Sequence, residues 1–479
     1  MDMHPNLIAG AWRSGAEVVD NINPSDTRDV VGRFAQSDAS DAADAIAAAK
    51  SAAPTWGLSG PMHRHDVLAK VAAELTARRA ELGDLLSREE GKTLPEGVAE
   101  VTRAAQIFDY FAGEALRLSG ELLPSTRPGV EIEITREPMG VVGIITPWNF
   151  PMAIPAWKVA PALCFGNAVV FKPAELVPGC AWALADMIHR AGAPPGVFNL
   201  VMGRGSVVGE AMLASSDIDA VTFTGSVPTG RLVAARCAEM MRKVQLEMGG
   251  KNPLLVLDDA DLDTAVRCAV DGGYFATGQR CTASSRLIVS EGIHDRFVAA
   301  LTEALRDLRV DDARRSGTDI GPVVDQTQLD QDLSYVAIGR DQDGACLAFG
   351  GERLSRDTPG FYLAPALFTE TTNQMRINQD EIFGPVASVI RVRDYDEALS
   401  VANDTPFGLT AGVCTTSLKY ATHFKRHAQA GMVMVNLPTA GVDPHVPFGG
   451  RKGSSLGPRE QGRYAREFFT QIKTAYTFA

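Results

Sequence analysis

Cys281 stands in Gly278-Gln279-Arg280-Cys281-Thr282, with a guanidinium one residue before the sulfur. A cation beside a thiol lowers its pKa and supplies nucleophilic thiolate. The other reading of a cysteine is a small buried apolar residue. Glu247 closes the apolar run Val244-Gln245-Leu246-Glu247-Met248 and is followed by Gly249, Gly250 and Lys251. Burial would raise the pKa of such a carboxylate and make it a usable base near neutrality; a salt bridge to Lys251 is the competing reading. Asn149 lies in Pro147-Trp148-Asn149-Phe150-Pro151. Prolines and aromatics on both sides leave it little freedom. Its amide suits an oxyanion, and an ordinary turn suits it equally.

A second set of residues suits a dinucleotide. Gly225-Ser226-Val227-Pro228-Thr229-Gly230 follows an apolar run and opens a helical pattern, and helix N-termini attract pyrophosphate. Gly203-x-Gly205-x-x-x-Gly209 is a similar glycine-rich segment. Neither matches the usual GxGxxG spacing. Lys172 and Glu175, three residues apart, are placed to grip ribose hydroxyls from two sides.

The elements that must position these residues are legible as alternating patterns. Ser40–Ala53 reads as a helix capped by Ser40 or Asp41. Val67–Ser87 and Gly97–Leu118 carry the three- and four-residue apolar spacing of amphipathic helices. The runs 141–146, 168–172, 197–202, 220–224 and 244–248 are short and continuously apolar, with helical segments between them. That alternation predicts an α/β fold with a parallel sheet covered on both faces. Ligands of such sheets sit beyond the C-terminal strand ends, which is where each run meets glycine or polar residues. A second alternating block extends from about Asn252 to Pro447 and includes 286–290, 387–392 and 432–436. Glu131–Arg136 alternates polar and apolar residues, as a half-exposed strand does, and predicts a protruding hairpin covered by another subunit. The C-terminal segment has strand character and can pair with that edge.

With 479 residues the chain is long enough for two to four domains. The net charge of −12 disfavours nucleic acid or an anionic membrane as the main partner. Glycine, at 45 residues, exceeds the typical ~7%. The seven cysteines are scattered, with no CxxC pair for zinc or redox work. No metal site is expected. Free thiols suit a reducing compartment. The N-terminus lacks a basic-then-apolar signal, and no apolar run approaches the length of a membrane span. A cytoplasmic chain is expected.

Taken together, PWNFP (147–151), FKPAE (171–175), FTGS (223–226), LEMGGKNP (246–253), GQRC (278–281), EIFGPV (381–386), NDTPFGL (403–409) and PFGGRKGSS (447–455) resemble the aldehyde dehydrogenase superfamily over essentially the whole chain. The resemblance implies a Rossmann-like cofactor domain (1–116 and 139–249), an α/β catalytic domain (250–461) and a β-hairpin oligomerisation arm (117–138 with 462–479). It implies Cys281 as nucleophile, its N–H and the Asn149 amide as oxyanion hole, and Glu247 as the base that hydrolyses a thioester. Lys172 and Glu175 would bind the adenine ribose. Ser226 with Gly225, Gly230, Gly205 and Gly209 would face the pyrophosphate. Trp148, Glu381 and Phe383 would lie near the nicotinamide and its ribose. A carboxylate at Glu175 favours NAD and repels the 2′-phosphate of NADP, which remains accessible by side-chain rotation.

Position in the family places Phe150, Trp157, Phe275, Arg280 and Phe448 around the substrate, with Trp157 and Phe275 forming an aromatic tunnel. Succinate-semialdehyde enzymes usually carry arginines at those two tunnel positions. The segments 278–289, 436–443 and 445–455 are similar to α-ketoglutarate semialdehyde (2,5-dioxovalerate) dehydrogenases of bacterial sugar-acid catabolism. The implied activity is therefore oxidation of that aldehyde to 2-oxoglutarate, with Arg280 either contacting the substrate or only tuning the thiol or forming an ion pair. Alternatives are a succinate or glutarate semialdehyde dehydrogenase, a broad-specificity aldehyde dehydrogenase, and a catalytically silent binding protein on the same scaffold. A CoA-acylating enzyme is disfavoured by Glu247. A papain-like hydrolase needs a histidine partner, and only His445 among the eight histidines lies in the matching motifs. A homodimer or homotetramer is expected.

Overall fold

The computed structural model describes residues 3–478. Residues 1, 2 and 479, the outer ends of the expected first and last segments, lie outside the described residues.

All five apolar runs that follow the hairpin become parallel strands of one sheet. The order is Lys243–Glu247, Ala220–Thr224, Val141–Ile145, Ala168–Lys172, Phe198–Leu200. Chain order runs outward from Val141–Ile145 to Phe198–Leu200, then jumps to Ala220–Thr224 on its other side. That reversal makes a crevice beyond the strand ends, where ligands of doubly wound sheets bind. Asn6–Ile8 and Ala11–Arg13 extend one edge antiparallel. Ser455–Leu456 extends the other, against Lys243–Glu247. Residues 455–461, expected in the second unit, thus reach back to the first sheet.

The second sheet has the order Cys346–Phe349, Ala366–Thr371, Val386–Val392, Ser284–Ser290, Asn252–Val256, Thr410–Cys414, Met432–Val435. It is parallel except at its first edge. Each sheet carries buried apolar side chains on both faces, as parallel sheets require.

The half-exposed strand lies within Val130–Pro138. It pairs on one side with Glu121–Pro124 and on the other with the C-terminal Thr470–Phe478. Ala465, Phe468 and Phe469 pack in the first core, and the strand pairing of this segment begins at Thr470.

Three helix expectations change at their ends. The first helix spans Ala39–Gly57 and is capped by Asp38, not by Ser40 or Asp41. Asp38 accepts from the N–H groups of Ser40 and Asp41, while the Asp41 side chain takes the Asp38 N–H. This reciprocal capping box satisfies more orphan donors than a cap further along. Val67–Ser87 belongs to two helices, Pro61–Ala77 and Arg79–Glu90, broken at Arg78, whose guanidinium ties Glu74 to Glu81 across the break. The helix read at Gly97–Leu118 spans Leu94–Glu114, with Thr93 and Glu96 as its capping box. No helix among the described residues is long and apolar enough to cross a membrane. None of the described His, Cys, Asp and Glu residues form a group of three or more able to hold a metal ion.

Candidate active site

Cys281 follows a short turn, Phe275–Gly278, that the backbone completes at a cost. Ala276 and Thr277 have φ of 50° and 56°, and Gly278 follows at 66°. Non-glycine residues rarely adopt such angles, and strain of this kind persists where surrounding bonds hold it. Here those bonds are visible. The Ala276 N–H donates to Glu96 Oε1 at 2.7 Å, and Thr277 Oγ1 meets the Gly321 and Pro322 carbonyls at 3.3 Å. Further on, Asn252 Nδ2 donates to the carbonyls of Cys281 and Ala283 at 2.8 and 2.9 Å, and Thr439 Oγ1 to that of Thr282 at 2.6 Å. At Gly278 a Cβ would lie 2.2 Å from the Gly384 carbonyl. Asn149 is buried and donates its amide to the Gln279 carbonyl at 3.0 Å, which sets it beside the cysteine segment.

The expected depression of the thiol pKa is not what the structure provides. Burial raises the Cys281 pKa most, and the nearby carboxylates of Glu381 and Glu247 raise it further. Arg280 hydrogen-bonds the Asp271 carbonyl through Nη2, and its charge does not outweigh burial.

Glu247 ends its strand in a buried position. Its proton affinity is well above the ordinary carboxylate range, chiefly through burial and then through Glu460. Ser455 opposes this by donating to Oε2 at 2.5 Å. Lys251 is not its partner: the Lys251 ammonium is fully buried without a hydrogen bond, and burial lowers its pKa to about 7. A buried ion pair, Lys158 with Glu460, lies behind the site. Sequence reasoning missed Ser455, Lys158 and Glu460. The available signal was Lys158 itself, the one charged residue in the otherwise apolar, wholly buried helix Ala153–Cys164.

Most of the residues read as a dinucleotide site lie at or just after the C-terminal ends of strands of the first sheet. Lys172 ends its strand and lies 3.9 Å from Glu175, which accepts the Gly205 N–H at 3.0 Å. Ser226 precedes the helix Val227–Glu239 without capping it; its hydroxyl meets Thr229 Oγ1 at 3.0 Å. The first N–H groups of that helix are therefore left for another acceptor. A Cβ on Gly209 would meet nothing within 4 Å, and one on Gly205 only Lys172 Nζ at 3.9 Å. Gly225 and Gly230 have packing reasons to lack side chains: a Cβ would strike the Phe223 ring and the Met248 sulfur, respectively. Glu381 Oε1 accepts the Gly250 N–H at 2.9 Å, and burial pushes its pKa up to about 7. Trp148 and Phe383 meet edge to face, with centroids 5.4 Å apart. An open crevice, uncapped helix N–H groups and a lysine–glutamate pair fit a nicotinamide dinucleotide.

Cys281 opens onto a cavity of about 320 Å³ whose lining includes Phe150, Trp157, Arg280 and Phe448. Trp157 stacks on Phe448 at 5.3 Å, and Lys92 Nζ sits 3.7 Å from the centre of the Phe150 ring. Phe275 is not in the lining. It packs on the core of the second sheet, because the left-handed residues after it turn the chain so that Ala276 faces the cavity. The expected tunnel of Trp157 with Phe275 is thus a stack of Trp157 with Phe448. Sequence reasoning also missed Lys92, Glu96, Glu100, Arg103 and Gln461 in the lining. Most come from the helix Leu94–Glu114 and its approach, where they read as an ordinary polar face.

A half-buried thiol near a buried carboxylate and a fixed amide, opening onto a cavity, is equipped for covalent chemistry on a carbonyl compound. Comparison with known proteins agrees. The aldehyde dehydrogenase family matches residues 12–475. The alpha-ketoglutaric semialdehyde dehydrogenase of Bacillus subtilis (strain 168) is 43% identical over 476 residues, covering 98% of this chain and 97% of that protein. The alpha-ketoglutarate semialdehyde dehydrogenase of Haloferax volcanii is 41% identical over 483 residues, covering 99% of both. The crystal structure of betaine aldehyde dehydrogenase from Staphylococcus aureus in complex with NAD+ is similar with a TM-score of 0.97 at 34% identity, covering 99% of this chain and 95% of that one. Since site, fold and sequence agree along nearly the entire length, the chain belongs to the aldehyde dehydrogenase family.

Proposed function

We propose that this chain oxidises α-ketoglutarate semialdehyde to 2-oxoglutarate with NAD as the preferred acceptor. The observation that carries the reading is the cavity at Cys281, apolar along Trp157 and Phe448 but carrying Arg103 and Arg280. Such a lining fits a short aldehyde with an acidic far end. The relatives named for this substrate support it.

In this reading the Cys281 sulfur adds to the aldehyde carbonyl. The Asn149 amide and the Cys281 backbone N–H stabilise the oxyanion. When bound at the crevice by Lys172, Glu175, Ser226 and Glu381, a nicotinamide dinucleotide supplies the hydride acceptor. Trp148 and Phe383 would exclude water there. Glu247 takes a proton from the water that attacks the Cys281 thioester, and the acid leaves. Lys158 and Glu460 hold charge balance behind Glu247.

We place the cofactor and catalytic halves on the two large sheets, and a dimer or tetramer contact on the arm. The arm leaves Leu122, Ile472, Tyr476 and Phe478 exposed, which is unusual for an unpartnered edge. An active monomer on gel filtration at low concentration would reject the arm's role. A cytoplasmic location suits the scattered free thiols. The test of substrate is a panel of kcat/KM values for α-ketoglutarate, succinate and glutarate semialdehydes and hexanal, with NAD and NADP. Faster oxidation of hexanal than of any semialdehyde would reject the reading.

A further inference from the structure

The far side of the cavity holds polar donors that the protein does not satisfy. Arg103 lies on the helix Leu94–Glu114 and lines the cavity. Among the described residues it forms no ion pair within 4 Å; its hydrogen bond is from Nη2 to Gln461 Oε1 at 2.8 Å. Asp443 attracts it only at longer range. Gln461 is fully buried and also lines the cavity, yet its own Nε2 has no hydrogen-bond partner. Arg280 Nε is a second buried donor without a partner on the same cavity.

The neighbouring carboxylates are committed elsewhere. Glu96 accepts from the Ala276 and Thr93 N–H groups. Glu100 accepts from the Met152 and Ala153 N–H groups and from Lys92. The cavity therefore presents a surplus of donors and a guanidinium without an ion-pair partner among the described residues. Unsatisfied buried donors are costly.

Gln461 adds a second kind of cost. Its backbone sits at φ 61° and ψ 169°, a region that glycine occupies almost exclusively. The next residue is a glycine, also at positive φ. A sequence optimised for stability alone would put glycine at position 461 as well. Holding a strained glutamine there keeps an amide against Arg103.

We propose that Arg103, oriented by Gln461, is the specificity-determining clamp for the distal carboxylate of the substrate. The guanidinium takes the carboxylate as a charge-assisted pair, Gln461 Nε2 donates to the same group, and the aldehyde end reaches Cys281. This deepens the proposed function and rests on it for the identity of the substrate. Recognition of a carboxylate by the clamp does not depend on that identity.

Two measurements separate the two claims. The first is the ratio of kcat/KM for α-ketoglutarate semialdehyde to that for hexanal. R103A should lower it about 100-fold, mainly through KM for the semialdehyde, with R103K recovering part. Q461G should lower it about tenfold while its melting temperature holds or rises, because glycine relieves the strain as it removes the amide. The second is inhibition of hexanal oxidation by glutarate, a diacid with no aldehyde. R103A should weaken it about 100-fold. Glutarate that inhibits R103A as well as wild type, or fails to inhibit wild type, overturns the clamp. Glutarate inhibition that depends on Arg103 upholds the clamp, even if the panel replaces α-ketoglutarate semialdehyde by another acidic aldehyde.

Discussion

Ser455 Oγ donates to Glu247 Oε2 at 2.5 Å, and the same oxygen accepts the Gly450 N–H at 2.6 Å. The hydroxyl is thus fixed by backbone five residues before it, in a segment more than two hundred residues from Glu247. It stabilises the carboxylate form of Glu247 against burial and the charge of Glu460.

This sets the pH dependence of hydrolysis. A carboxyl with raised proton affinity is neutral at low pH and becomes a base as pH rises. Deacylation should therefore increase with pH beyond the ordinary carboxylate range. S455A removes a group that lowers the Glu247 pKa and should move the rising limb to higher pH. E247Q should reduce steady-state kcat by ~10²–10⁴-fold and leave a burst of NADH in rapid mixing, as the thioester accumulates. A steady state without a burst in E247Q would assign that glutamate another role.

For Cys281, C281A should lower dehydrogenation by at least about 10³-fold. The thiol is raised by burial, then by Glu381 and Glu247. Its alkylation by iodoacetamide should be slow at neutral pH in the free protein and accelerate as pH rises. At pH 8, E381Q should alkylate faster than wild type, since it removes a nearby negative charge. Equal rates would remove Glu381 from this account.

The Asn149 amide already spends one hydrogen on the Gln279 carbonyl, so its geometry is preset. N149A should cost ~10²–10³-fold in kcat, with binding of the dinucleotide measured by fluorescence unchanged in direction and size. A loss confined to KM would place Asn149 outside the oxyanion site.

At the adenine ribose, Glu175 is held by the Gly205 N–H. E175Q removes the charge that repels a 2′-phosphate and should raise the NADP-to-NAD ratio of kcat/KM about tenfold. An unchanged ratio would locate cofactor choice elsewhere.

Stability should also depend on pH. Burial pushes Glu89 and Glu381 up to about 7 and Glu90 up to about 8, from an ordinary 4.5. Above about pH 4.5 the unfolded chain releases these protons while the folded chain keeps them. Stability from these groups is complete below that pH and is lost as pH rises through about 7 to 8. Urea midpoints should fall between pH 5 and pH 8.5, and E90Q should reduce the fall. A fall of the same size in E90Q would remove Glu90 from this account.

What the sequence determined by itself was the local part of the design. Continuous apolar runs such as Ala168–Lys172 can be stable only when covered on both faces, so a parallel sheet followed from composition along the chain. Glu247 at the end of its strand and Cys281 beside Arg280 were visible because their chemistry is unusual among their immediate neighbours. The tertiary structure decided what depends on distant segments. It replaced Lys251 by Ser455 beside Glu247, raised the thiol that the Arg280 charge was expected to lower, and turned Phe275 away through the left-handed angles of Ala276 and Thr277. Arg103 and Gln461 are 358 residues apart and carry no local signature. Their donors become significant only when folding buries them at one cavity and removes the water that would otherwise satisfy them.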